Sequence, residues 1–229
     1  MAIFRFENRF LKPVVLGTTG LFLFFAVFYF LPVAMPHKIA LPLAILSVAG
    51  LWLLPWQMCV AMIFSAAGDY AGSCNCFIGQ MGCFAVAHIF IITYFIARYL
   101  KKVEHDGKLT AKAKGYLAML GLCIGALLLL TLAKIAPATP EGVIRIGVCI
   151  YTAVICTMLL TAMLQRSSLF ALGAVLFVFS DFILAWNLFV EPIQGENFLI
   201  MIPYYLGQWL LFVRATSYRV KTPIRLLRF

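Results

Sequence analysis

The feature that most constrains this chain is a series of apolar runs that recurs along its whole length. A helix needs about 20 mostly apolar residues to cross the hydrocarbon core of a bilayer. Only 11% of the residues are charged and the mean hydropathy is +1.02, so too little polar surface exists to coat a water-soluble domain. The sequence therefore predicts an all-α fold, a polytopic membrane helical bundle.

We predict eight transmembrane helices, separated by segments rich in proline, glycine or charge. Their expected ranges are Val14–Leu31, Ile39–Leu54, Trp56–Tyr70, Phe77–Tyr99, Gly115–Ile135, Val143–Met163, Leu169–Phe189 and Phe198–Ser217. The chain shows no low-complexity segment and no separate soluble unit. We therefore expect residues 1–229 to form a single integral membrane domain.

The basic residues predict the orientation of the bundle. If the N-terminus is cytoplasmic, only Lys38, Lys134 and Arg145 of the 18 Lys and Arg residues fall on the other side. This asymmetry follows the positive-inside rule, which favours an even number of spans and two cytoplasmic termini. The net charge is +10, but the basic residues form no continuous face, so we expect no nucleic-acid partner. A bacterial inner membrane is the expected location.

The predicted polar connector Lys101–Lys114 divides the chain into two sets of four helices. Each set has an aspartate in its third helix, Asp69 in the first and Asp181 in the second. A parallel 4+4 duplication would explain this arrangement, because an even number of helices preserves orientation. Similarity between the halves is faint, and the repeat is a hypothesis.

Asp69 and Asp181 are the acidic residues that fall inside predicted spans; the other six lie in predicted loops or the N-terminal segment. A carboxylate in the hydrocarbon zone costs several kcal/mol, so such residues are functional candidates. At 1.5 Å per residue, both lie about 18–20 Å from the cytoplasmic ends of their helices. They can therefore share one layer of the bundle. The alternative is a structural pair that bridges helices by hydrogen bonds.

Five further polar side chains fall near that layer and are candidates for binding or orienting a substrate: His88, Asn187, Tyr204, Tyr205 and Gln208. Such convergence builds a polar pocket in an apolar bundle. Four of them also have a plainer interpretation. His88 could be a satisfied core histidine, the tyrosines could belong to an interfacial belt, and Asn187 could face the outer interface.

The remaining motifs favour chemistry without a metal. Cys74, Cys76 and nearby Cys83 could bind a metal or form a disulfide, but cysteines in and beside apolar helices are more simply small apolar residues. The chain has no nucleophile elbow, no H-E-x-x-H, no P-loop and no dinucleotide fingerprint. A carboxylate pair with one histidine remains, and this set suits acid–base chemistry.

The ordered set of polar motifs resembles the YhhN-type lysoplasmalogenase family of eight-helix membrane proteins. The matching segments are Gly68-Asp69, Gly82-Cys-Phe-Ala-Val-Ala-His88, Phe177-Val-Phe-Ser-Asp181 and Tyr204-Tyr-Leu-Gly-Gln208. Order and helix placement agree over essentially the whole chain. One departure is Ile91, where a tyrosine is expected three residues after the histidine; Tyr94 follows one turn later.

The resemblance implies hydrolysis of the sn-1 vinyl ether bond of a lysoplasmalogen, with a lysophospholipid as substrate, membrane lipids as surroundings and no cofactor. A vinyl ether must be protonated on carbon before water can capture the resulting oxocarbenium ion. A close buried carboxyl pair can supply one protonated and one ionised group. Glycosidases use the same logic. Asp69 and Asp181 are the predicted pair, and either could be the acid.

Two other functions are compatible with the same residues. A small transporter or proton-coupled carrier could use paired intramembrane aspartates to bind a cation or proton. A non-catalytic scaffold could use them only to hold helices together. Oligomeric state, head-group preference and the side on which a pocket opens do not follow from the sequence.

Overall fold

The computed structural model describes residues 11–106 and 111–219, and in these ranges the chain is helical without strands. The long helices are α1 (Leu11–Phe30), α2 (Leu41–Leu53), α3 (Trp56–Ser73), α4 (Phe77–Asp106), α5 (Ala111–Leu130), α6 (Val143–Leu164), α7 (Ser168–Phe189) and α8 (Glu196–Arg219). A short 3₁₀ helix, Lys38–Ala40, precedes α2, and a π-helical segment, Thr131–Ile135, continues α5. The predicted all-α fold is confirmed.

Six of these helices contain a stretch that is long and apolar enough to cross a membrane. The stretches are Lys12–Phe30, Phe77–Lys101, Leu120–Ala138, Val143–Leu164, Ser168–Phe189 and Glu196–Ser217. Helix α2 has only 13 residues, while the 18-residue α3 carries Gln57, Asp69 and several small residues that lower its hydropathy. The protein is therefore a multi-pass membrane protein with the fold of a helical bundle.

Two predicted boundaries were wrong. The third helix was predicted to end at Tyr70, but α3 continues through Ser73. The expected connector Lys101–Lys114 is largely helical, because α4 extends to Asp106 and α5 begins at Ala111. Lysine and alanine are good helix formers, so polar composition alone does not end a helix. Residues 107–110 lie outside the described part of the chain.

Close packing of α7 against α8 depends on two glycines. A Cβ added at Gly207 would lie 2.8 Å from the Gly173 carbonyl oxygen, and one at Gly173 would lie 3.0 Å from the Gly207 oxygen. Small residues allow the backbones of membrane helices to approach in this way. The Ser180 hydroxyl also donates a hydrogen bond of 2.8 Å to the Ile200 carbonyl oxygen. These contacts hold the α7 residues around Asp181 against the α8 residues around Tyr204.

Helix α3 pairs with α4 as extensively as α7 does with α8, and α4 also packs against α6. The glycine before Asp69 contributes to the first of these contacts. A Cβ on Gly68 would lie 3.0 Å from Cε1 of Phe84, so glycine lets this α4 ring lie directly against α3. The two helix pairs bring their polar residues toward the same region of the bundle.

Candidate active site

A cavity of about 230 Å³ lies between α3, α4, α7 and α8, beside the C-terminal end of α1. Asp69 and Asp181 both line it. The other polar side chains in its wall are Tyr29, Gln80, Ser180, Asn187, Glu196, Asn197 and Tyr204. Two acids from distant parts of the sequence therefore face one chamber inside an apolar bundle. We call it the carboxylate cavity.

Asp69 is almost completely buried, with 2% of its surface exposed. The Tyr204 hydroxyl donates a hydrogen bond of 3.0 Å to its Oδ2. The Tyr204 ring is fixed by edge contacts with Phe84 and Phe177, at centroid distances of 5.9 and 5.3 Å. A phenol held in this way keeps the carboxyl group in one orientation and leaves its other oxygen for a ligand.

Asp181 has a matching partner. Its Oδ2 accepts a hydrogen bond from the Tyr151 hydroxyl of α6. Nε2 of His88 lies 3.2 Å from the same hydroxyl and 4.0 Å from Asp181 Oδ2. Because the Tyr151 proton is directed at the carboxyl group, its oxygen accepts from His88, which requires a proton on Nε2. The result is a hydrogen-bonded chain from His88 through Tyr151 to Asp181.

The other predicted site residues divide into two groups. Asn187 lines the carboxylate cavity, and its Oδ1 accepts a hydrogen bond of 2.7 Å from the Ile193 backbone amide. Tyr205 and Gln208 are buried beside the cavity and hold helices together. The Tyr205 hydroxyl donates to the Ile39 carbonyl at 2.9 Å, while Gln208 Nε2 donates to Ser65 Oγ at 3.1 Å. Their geometry favours positioning over substrate contact.

Sequence reasoning missed Tyr151, Tyr29, Gln80 and Asn197. The Tyr29 hydroxyl donates a hydrogen bond of 2.9 Å to Asn197 Oδ1 at the loop end of the cavity. The sequence offered one indication of Tyr151, a tyrosine within an apolar run. Tyrosines of an interfacial belt also lie in or beside apolar runs, so this pattern does not identify a site residue. Only the packing of α6 against α4 and α7 shows that Tyr151 is a site residue and not part of an interfacial belt.

The cysteines form no bond with one another where the structure describes their side chains. Cys74, Cys76 and Cys83 are free thiols, and Cys74 Sγ lies 3.9 Å from Nδ1 of His37. Among the described residues, no three His, Cys, Asp or Glu side chains are grouped closely enough to hold a metal ion. The polar groups at this site are carboxyls, phenols, amides, the Ser180 hydroxyl and one imidazole.

Comparisons with known proteins give a family and a relative. The model of the YhhN family matches residues 26–215. A human protein, lysoplasmalogenase TMEM86B, is 29% identical over 159 residues. That match covers 68% of this chain and 61% of the relative's length. No solved structure matches the chain.

Proposed function

The chain belongs to the YhhN family, and on this basis we propose that it is a lysoplasmalogenase. It hydrolyses the sn-1 vinyl ether bond of alkenyl glycerophosphocholine or glycerophosphoethanolamine, and releases a fatty aldehyde and a glycerophospho-base. The observation that carries this proposal is the pair of acids, Asp69 and Asp181, on the wall of one cavity. The name of the human relative supports the same activity.

The reaction needs two carboxyl groups in different protonation states. One protonates the alkene carbon, and the alkene electron pair forms the new C–H bond while the ether oxygen shares the positive charge. The other, ionised, stabilises this oxocarbenium ion and takes a proton from the water that attacks it. The hemiacetal then breaks its bond to the glycerol oxygen. Each step uses only carboxyl groups and water.

In this scheme Tyr204 and Tyr151 orient the two carboxyl groups. Tyr204 and Tyr151 each occupy one oxygen of their aspartate, which leaves the second oxygen to meet the substrate. His88 contacts Tyr151 and not the cavity, so it acts as a positioning residue for the Tyr151 hydroxyl. Asn187 lies at the loop end of the cavity, where it binds the glycerol or phosphate region.

The decisive experiment gives the purified protein a lysoplasmalogen and follows the products by mass spectrometry. Aldehyde and glycerophospho-base should appear together, and an alkyl ether lysolipid without the double bond should remain intact. A carrier would instead transport a proton or cation across liposomes and form no product. Product-free transport would contradict the hydrolase function.

We expect Tyr151→Phe to lower kcat by roughly ten- to a hundredfold, the range of a hydrogen bond to a group that is charged in the transition state. KM should change by less than about twofold, because Tyr151 acts through Asp181 and not on the bound head group. Kinetics on purified protein over a range of pH would measure both, since a changed Asp181 environment also moves the pH profile. The matched control is Tyr70→Phe; Tyr70 follows Asp69 directly but is 53% exposed and outside the cavity. Equal rates for the two variants would exclude a role for the Tyr151 hydroxyl.

We also propose that all eight helices cross a bacterial inner membrane with both termini cytoplasmic, as two related sets of four. The equivalent pairing of α3 with α4 and of α7 with α8 supports the repeat. Green fluorescent protein fused to the C-terminus should fluoresce, and alkaline phosphatase fused there should be inactive. Phosphatase fused after Gly195, in the loop before α8, should be active. Active phosphatase at the C-terminus would exclude this topology.

A further inference from the structure

Asp181 lies where the carboxylate cavity meets a second cavity, whose wall is mostly apolar. The second cavity is narrow, about 70 Å³, and is bounded by α4, α6, α7 and the π-helical segment after α5. Gln80, Phe84, Asp181 and Leu184 line both cavities, whereas Asp69 lines only the polar one. The two aspartates therefore differ in their surroundings, because Asp181 alone also faces hydrocarbon.

The apolar space continues from there to the lipid-facing surface. Leu127, Val178 and Phe182 line both the narrow cavity and a groove of about 320 Å³ between α5, α6 and α7. Every side chain in the wall of this groove is apolar. Val175 and Phe179 in the same wall are 41% and 45% exposed, so the groove opens toward the surrounding lipid. We call the narrow cavity and this groove together the chain cleft.

The groove and the carboxylate cavity extend toward opposite ends of α7, while the narrow cavity runs beside the carboxylate cavity from Val178 to Phe189. The carboxylate cavity reaches Asn187 and Glu196, beside the loop between α7 and α8. The chain cleft reaches Val175, which lies about 9 Å from Asp181 along the helix toward the other membrane surface. A lysolipid has the same order of parts: a polar head, a glycerol, one ether bond and then a single hydrocarbon chain.

We propose that the chain cleft binds the alkenyl chain, with the vinyl ether bond beside Asp181 and the glycerophospho-base in the carboxylate cavity. This proposal rests on the lysoplasmalogenase function and adds the orientation of its substrate. The alkene carbon to be protonated is the one nearer the chain, and it lies on the side of Asp181. Asp181 is therefore the acid, and Asp69, on the polar side, is the carboxylate that receives the proton of the attacking water.

The proton balance closes over one turnover. The O–H bond of Asp181 breaks as the C–H bond forms, and Asp69 then takes one proton from the water. When the hemiacetal collapses, Asp69 returns its proton to the glycerol oxygen, and the hemiacetal hydroxyl proton goes to Asp181. Both acids regain their starting protonation states, and one water is consumed.

The lipid enters from the leaflet on the side of the α7–α8 loop, because its head group lies at that end of the carboxylate cavity.

Narrowing the chain cleft should change chain-length preference. In Val175→Trp, kcat/KM for an octadecenyl substrate should fall by roughly fifteenfold if two methylenes are excluded, at about fourfold each. A butenyl substrate, too short to reach Val175, should keep its rate. The control is Leu172→Trp on the same helix, which is 50% exposed and outside the cleft, and it should change neither rate. Equal losses on both substrates, or none, would overturn the proposal.

Photocrosslinking tests the same site without turnover. The probe is a saturated alkyl ether lysophosphocholine with a diazirine at the end of its chain. Labelling should fall on peptides of α5, α6 and α7, and Val175→Trp should reduce it. Labels confined to α1 or α2 would overturn the chain cleft. If labelling follows the expected pattern but no vinyl ether is hydrolysed, the proposed activity fails and the lipid site stands.

Chemical rescue tests the assignment of the acid. Formic acid should restore activity to Asp181→Gly, increasingly as pH falls and the protonated form accumulates. In Asp69→Gly, the formate anion should restore activity, and it should do so increasingly as pH rises. If the two aspartates had only a structural role, rescue would show neither pH dependence. If the two pH dependences were reversed, Asp69 would be the acid and the proposed orientation would be wrong. The orientation would also be wrong if neither variant were rescued and the photoprobe labelled residues outside the chain cleft.

Discussion

Replacing either Asp69 or Asp181 with asparagine should lower aldehyde release by about a thousandfold or more, within the range of general acid–base catalysis. Asparagine has nearly the shape of aspartate, but it neither donates an acidic proton nor carries the charge that stabilises an oxocarbenium ion. The measurement is the initial rate of aldehyde formation by purified protein. Both variants should lose kcat, because both groups act on the transition state.

Folding and binding should survive these substitutions. An asparagine amide oxygen still accepts the hydrogen bond that Tyr204 or Tyr151 donates, so the buried phenols stay satisfied. The matched control is Glu141→Gln, since Glu141 pairs with Arg145 on the surface and lies outside the cavity. This control should keep its full rate. Full turnover by both Asn variants would show that Asp69 and Asp181 are not the working groups.

Gly207→Ala should destabilise the bundle by about 1–3 kcal/mol, the usual range for forcing an extra group into a packed interior. The new Cβ would lie 2.8 Å from the Gly173 carbonyl oxygen and 3.3 Å from the Phe177 backbone nitrogen. Both are main-chain atoms, so the clash is relieved only by moving α7 and α8 apart. That movement also shifts Asp181 relative to Tyr204, and activity should fall with stability. Thermal unfolding in detergent measures the first effect and aldehyde release the second.

Gly82→Ala provides the contrast. Gly82 lies in α4, and a Cβ there would meet no atom within 4 Å. Alanine favours a helix over glycine by about 1 kcal/mol, so this variant should be as stable as the parent or more so. If Gly207→Ala unfolded at the same temperature as Gly82→Ala, the α7–α8 contact would not be a tight backbone contact in the folded protein.

Local chemistry made most of the secondary structure predictable. Each of the eight predicted ranges overlaps a helix, because long apolar runs that end at proline, glycine or charge have few other ways to satisfy their backbone in lipid. The predictions were wrong where composition gave no physical stop. Ser73 and the segment around Lys101 are polar but remain helical. The number of crossings stays a prediction, since α2 and α3 are short or less apolar than a typical span.

The sequence by itself determined that this chain is a membrane helical bundle, and it singled out Asp69 and Asp181 because a carboxyl group inside an apolar run is too costly to be incidental. Tertiary packing decided which side chains those acids meet. Depth along a helix follows from counting residues, but the direction of a side chain around the bundle axis follows from helix contacts such as Gly173 against Gly207. The packing of α6 against α4 and α7 brought Tyr151 to Asp181, and the packing of α8 directed Tyr205 to the Ile39 carbonyl. No local pattern in the sequence contains that information.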